Sequence, residues 1–89
     1  MKTLAQTNQF ARDMKRMIKR GKDPARMREV VSSLAQGKAL AHKFKDHPLR
    51  GEWEGSRDCH LEPDWVLIYT ADAASLRLER TGSHADLFD

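Results

Sequence analysis

Histidine is the side chain that titrates nearest neutral pH, which suits it to moving protons. Three of the four histidines in this chain stand where a rigid scaffold places functional groups, in loops or at strand ends. His47 precedes Pro48, His60 precedes the Leu-Glu-Pro-Asp turn, and His84 follows Thr-Gly-Ser. Asp64 lies in the turn after His60, with Trp65 next to it, and Phe88 is one residue from the last position. Each also has a plainer reading. A loop histidine is commonly just a solvated hydrogen-bonding group, Asp64 a turn former, and Trp53 or Trp65 a packing residue. Cys59 falls inside an alternating segment and reads as a small buried residue rather than a nucleophile. Three histidines and one aspartate are also a possible zinc set. Their positions 47, 60, 64 and 84 match no local ligand motif, and Pro63 argues against a helix that would align His60 with Asp64. There is no Gly-rich phosphate loop and no CxxC, which disfavours nucleotide hydrolysis and dithiol redox chemistry.

The elements that must position these groups follow from periodicity. Residues 2–6 carry a weak strand signal. Phe10, Met14, Met17 and Ile18 fall on one helical face, with Thr7 or Asn8 as cap and Gly21 as stop. Asp23 and Pro24 start a second helix, striped by Met27, Val30, Val31 and Leu34 and stopped at Gly37. Together they predict an αα-hairpin whose outer faces carry Arg12, Lys15, Arg16, Lys19, Arg26 and Arg28. Residues 38–51 read mostly as loop. Residues 53–61 alternate as a strand, with Trp53, Gly55, Arg57, Cys59 and Leu61 on one side. Residues 65–70, WVLIYT, are the apolar run of a central strand. Residues 75–81 alternate again, with Leu76, Leu78 and Arg80 together, and the tail predicts one short helical turn.

Length and charge bound the problem. The 89 residues make one domain, 1–89, with 39% hydrophobic and 33% charged content. No apolar run approaches the roughly 18 residues needed to cross a bilayer, and the first ten residues show no apolar signal core. With one cysteine there is no intrachain disulfide, so a cytoplasmic setting without membrane partners is expected. The net charge of +3 hides a split: residues 1–50 carry a balance of +9 and residues 51–89 a balance of −6. The basic half suits RNA or an acidic protein, unless it is simply a solvated helix surface.

Three motifs then resemble a known family. DHPL-x-G-x-W, RDCH-x-x-PDW-x-LIY and ERTGSH-x-x-LF, spread over residues 42–89, are similar to the YafQ group of the RelE/ParE toxin superfamily. The helical half matches it in pattern rather than letter by letter. The resemblance implies an α+β, RelE-like β-α-α-β-β-β(-β) fold, a helical hairpin packed on a small twisted antiparallel sheet. It implies a ribosome-dependent mRNA interferase that cuts mRNA in the ribosomal A site. A cognate antitoxin would hold it inactive, with operator DNA bound only through that complex. The family's active-site positions correspond to His47, His60, Asp64, Trp65, His84 and Phe88, with Asp58 of RDCH as an addition.

The chemistry expected of such a centre is transesterification within RNA, with no cofactor and no metal. It needs a base for the 2′-OH, an acid for the leaving 5′-oxygen and positive charge for the phosphorane. The expectation is His84 as general acid and Asp64 as base or base-orienting carboxylate. His47 and His60 would hold the phosphate, and Arg57 or Arg80 would supply charge. Strict alternation would point Arg57 away from His60. Trp65 and Phe88 would position the nucleotide by stacking or packing. Lys15, Arg16, Lys19, Arg26 and Arg28 would grip ribosomal RNA phosphates. The rival reading is a non-cleaving binder of the same fold, acting on translation or on another nucleic-acid-linked target.

Overall fold

The computed structural model describes residues 1–89. Strand β1 (Thr3–Gln6) leads into helix α1 (Asn8–Lys19) and helix α2 (Pro24–Ala35). Both helices start on side-chain caps. Thr7 accepts from the Phe10 amide and Asp23 from the Ala25 amide, satisfying amides that a helix start otherwise leaves open. Residues 38–51 are mostly irregular, as expected, apart from a short 3₁₀ turn and the two-residue strand β2 (His47–Pro48). A second 3₁₀ turn at Gly51–Trp53 replaces the start of the strand expected from residue 53, and β3 runs Arg57–Glu62. Strands β4 (Trp65–Ala71) and β5 (Ser75–Gly82) and the five-residue helix α3 (His84–Phe88) complete the chain.

The sheet order is β1-β5-β4-β3-β2. It is mixed rather than wholly antiparallel, because β1 runs parallel to β5. Trp65, Leu67 and Tyr69 of β4 join Phe10, Met17, Met27, Val30 and Leu34 of the two helices in one core. Alternation puts Val66 and Ile68 on the opposite face, beside their cross-strand partners His60 and Asp58. His47, Asp58 and His60 project from that face.

A bulge breaks the simple alternation. Leu78 pairs with Tyr69, but Arg80 pairs with the adjacent Ile68, so β5 holds one extra residue. Arg80 is therefore out of step with Leu78, contrary to the alternation read from sequence. Thr81 now faces the core side, where its hydroxyl accepts from Trp65 Nε1 at 2.9 Å and donates to the Val66 carbonyl at 2.7 Å.

Candidate active site

β2 and β3 pair His47 directly with Asp58, so their side chains share a face. His47 Nδ1 lies 2.7 Å from the Lys45 carbonyl, an acceptor only, so Nδ1 carries the proton. Its Nε2 then faces Asp58 Oδ1 at 3.1 Å, and His60 Nε2 lies 3.9 Å from the same oxygen. Asp58 is buried, yet Oδ1 takes no well-directed hydrogen bond. Burial raises its pKa, and the positive charge that His47, His60 and His84 can carry pulls it back only in part. The two imidazoles thus flank a buried carboxylate that is only partly paired.

The other end of the site is anchored differently. Asp64 Oδ1 accepts from the His84 backbone amide at 2.9 Å and sits 2.8 Å from His84 Nδ1. Those two hydrogen bonds, the amide first, hold the Asp64 carboxyl below its usual range. An ionised Asp64 fixes the proton of His84 on Nδ1 and leaves Nε2 for exchange. The imidazoles form a row: His47 to His60 at 6.3 Å between centroids, His60 to His84 at 5.1 Å. The Phe88 ring follows at 6.0 Å from His84 and is 43% exposed. Beside the row opens a cleft of about 540 Å³, lined by His60, His84, Arg26, Lys43 and Lys45 among others.

Several expected residues are placed elsewhere. Trp65 is fully buried, so no nucleotide can stack on it; only the packing half of its expected role is open. Arg57 pairs with Tyr69 on the helix-side face, its Nε 3.1 Å from Asp46, and it does not face His60. Arg80 forks onto Asp13 of α1 at 2.7 and 3.2 Å and is committed there. Arg16 reaches Asp13 at 3.4 Å and Asp86 at 3.8 Å, and Arg26 approaches Glu62 at 3.6 Å as it lines the cleft. Lys15, Lys19 and Arg28 are exposed. The sequence reading passed over Lys43 and Lys45, although two lysines just ahead of His47 were a visible signal. Cys59 is buried and its thiol is pushed up to about 12, which fits the inert reading. No group of three or more His, Cys, Asp or Glu side chains is arranged to hold a metal.

The fold and the site define a small α+β protein of the kind found among bacterial toxins of type II toxin–antitoxin systems. Residues 2–89 match the family model described as the YafQ toxin of such systems, and the chain belongs to that family. It is 45% identical over 83 residues to the mRNA interferase toxin YafQ of Escherichia coli K12, covering 92% of this chain and 90% of that protein. A crystal structure of E. coli YafQ superposes with a TM-score of 0.94 at 40% identity, covering the whole of both chains. The E. coli DinJ–YafQ toxin–antitoxin complex matches at 0.92 with 42% identity, over 99% of this chain and 98% of that one. A metal-bound toxin from Helicobacter pylori matches at 0.92 with 41% identity, over 99% and 100%.

Proposed function

We propose that this chain is a ribosome-dependent endoribonuclease, an mRNA interferase held in check by a cognate antitoxin. The observation that carries the reading is the row of three imidazoles ending on a buried carboxylate at one side and an ionised one at the other. Two E. coli relatives, matched over 90% of their length, are mRNA interferase toxins, and E. coli YafQ is complexed with DinJ.

The proposed reaction is internal transesterification. A base removes the proton of the 2′-OH, the oxygen attacks phosphorus, and the bond to the 5′-oxygen breaks as an acid protonates it. The products are a 2′,3′-cyclic phosphate and a 5′-hydroxyl. His84 is the proposed acid through Nε2. Asp64 is better suited to orienting His84 than to acting as base, since Oδ1 already accepts two hydrogen bonds from it. His47 and His60, beside the buried Asp58 carboxylate, supply the base and the positive charge around the phosphorane. Phe88 takes the base of the reacting nucleotide, and Lys43 and Lys45 face its phosphates across the cleft. The proposed setting is the cytoplasm, with ribosome and mRNA as partners and operator DNA reached only through the antitoxin complex.

The test is primer-extension mapping of an mRNA incubated with purified protein, with and without programmed ribosomes and with and without a chelator selective for transition metals that leaves the ribosome's Mg²⁺ in place. Discrete cuts that need ribosomes and survive chelation are expected. Translation that stalls without any cut would overturn the nuclease reading in favour of a binder. Loss of cutting on chelation, restored by metal, would overturn the metal-free mechanism.

A further inference from the structure

His84 and Phe88 stand at the two ends of α3, a helix of five residues. A helix that short has no stability of its own, so its place depends on anchors. One side chain supplies most of them. Asp86 Oδ2 accepts from the Ser83 amide at 2.8 Å, and the Ser83 hydroxyl accepts from the Asp86 amide at 3.1 Å, closing a capping box. The same carboxylate takes a two-point fork from Arg20 of the α1 terminus, Nη1 to Oδ2 at 2.6 Å and Nη2 to Oδ1 at 3.2 Å. Arg16, one turn earlier, stands 3.8 Å away. α1 itself is fixed in the core by Phe10 and Met17. Beneath this contact lies Gly82, where a Cβ would come within 2.9 Å of both Asp86 Cβ and Asp86 Oδ2.

We propose that Arg20, Asp86 and Gly82 form one clasp that sets the position of His84, making Arg20 a positioning residue rather than part of an RNA grip. The planar guanidinium supplies direction as well as charge, which a lysine cannot reproduce. The glycine lets the carboxylate lie flat against β5. Together they fix where α3 begins, and with it the bond from His84 to Asp64. The consequence for catalysis rests on the nuclease reading above; the consequence for His84 geometry does not.

The test uses Arg20→Ala, Arg20→Lys, Gly82→Ala and the double variant Arg20→Ala/Gly82→Ala in the full chain. Single-turnover cleavage at saturating programmed ribosomes is measured beside ribosome affinity over a salt series. Misplacing a reacting group by about 1 Å costs up to about a hundredfold. Arg20→Ala and Gly82→Ala should each lower the saturated rate by about 10- to 100-fold, with affinity and its salt slope unchanged. Arg20→Lys should recover only part of the rate, and the double variant should lose little more than either single one. In the free protein, the ¹⁵N signal of His84 Nδ1 should move in the single variants as its bond to Asp64 is lost. A weakened, less salt-dependent affinity with an unchanged saturated rate would overturn the clasp in favour of an RNA grip. Multiplying losses in the double variant would also overturn it, as would an unmoved Nδ1 signal. If the wild-type protein cuts no RNA, the nuclease reading falls, and the Nδ1 signal alone decides the clasp.

Discussion

Asp13 and Asp58 are both buried carboxylates with cationic partners, yet they are built in opposite ways. Asp13 closes the edge of β5 just beyond the stretch that pairs with β1. It accepts from Arg80 twice, from the Thr81 amide at 3.2 Å and from Gln9 at 2.9 Å. Burial works to raise its pKa, but the hydrogen bonds from Arg80, Gln9 and Thr81 outweigh it and the net shift is downward. Asp58 has only imidazoles as cationic partners, and burial, with repulsion from Asp46 added, prevails. A carboxylate saturated by permanent cations and amides is scaffold. One left incompletely paired among titratable groups can exchange a proton.

The largest effect that would break this contrast lies at the exchanging end. His84→Ala should lower cleavage by about 10²- to 10⁴-fold, the range of a general acid or base. Its melting temperature should stay near that of the parent, because the ring is half-exposed and its ring neighbours, His60 and Phe88, lie outside the core cluster. A loss matched by a remote Lys2→Ala, whose ammonium bonds the Asp72 carbonyl at the β4–β5 turn, would remove the assignment. Next comes Arg80→Ala, which takes the two-point cationic partner from the buried Asp13 carboxylate and leaves it Thr81, Gln9 and the more distant Arg16. Denaturant unfolding should show a loss of about 3 kcal/mol, as for breaking a largely buried pair from one side. Activity per folded molecule should hold.

Asp58→Asn sharpens the comparison from the other side. Cleavage should fall by about a hundredfold, the low end of acid–base effects. Stability at neutral pH should hold or rise, because the variant no longer keeps an incompletely paired charge out of water. The two carboxylates also predict opposite pH slopes from their common reference of 3.8. Asp13 is lowered on folding, so its contribution is present above pH 4 and lost as pH falls through the folded value. Asp58 is raised, so the folded state holds its proton more tightly and stability declines as pH rises past 4. Urea titrations between pH 2 and 7 should show a shallower acid limb in Asp13→Asn and a smaller decline above pH 4 in Asp58→Asn. The smallest expected effect is at the exposed lysines. Lys15→Ala or Lys19→Ala should weaken ribosome binding by a few-fold and reduce the salt slope by about one, leaving the saturated rate alone.

Much of the architecture was legible in the sequence, for local reasons. Thr7, Asp23 and Pro24 mark the helix starts because caps act on adjacent amides, and the stripes from Phe10 and Met27 mark the buried faces. The apolar run WVLIYT marked a central strand, and β4 does lie between β3 and β5. Alternation even placed Arg57 away from His60, as the pairing of Arg57 with Tyr69 shows. The resemblance carried by the DHPL, RDCH-x-x-PDW and TGSH motifs grouped His47, His60, Asp64 and His84, and these side chains stand close together in the fold.

Other features were out of reach because they depend on partners distant in the chain. The β5 bulge flips Arg80 out of step with Leu78, and nothing local in LRLERTG announces the extra residue. Whether Arg16 and Arg20 face solvent or Asp86 depends on where α3 lands, 66 residues beyond Arg20. Burial made Trp65 a core residue and left the Asp58 carboxylate incompletely paired. Residue type and spacing thus determined which elements form and which groups are able to exchange protons. Only the packing of strands and helices decided which of those groups are held still, because pairing and desolvation are set by neighbours in space.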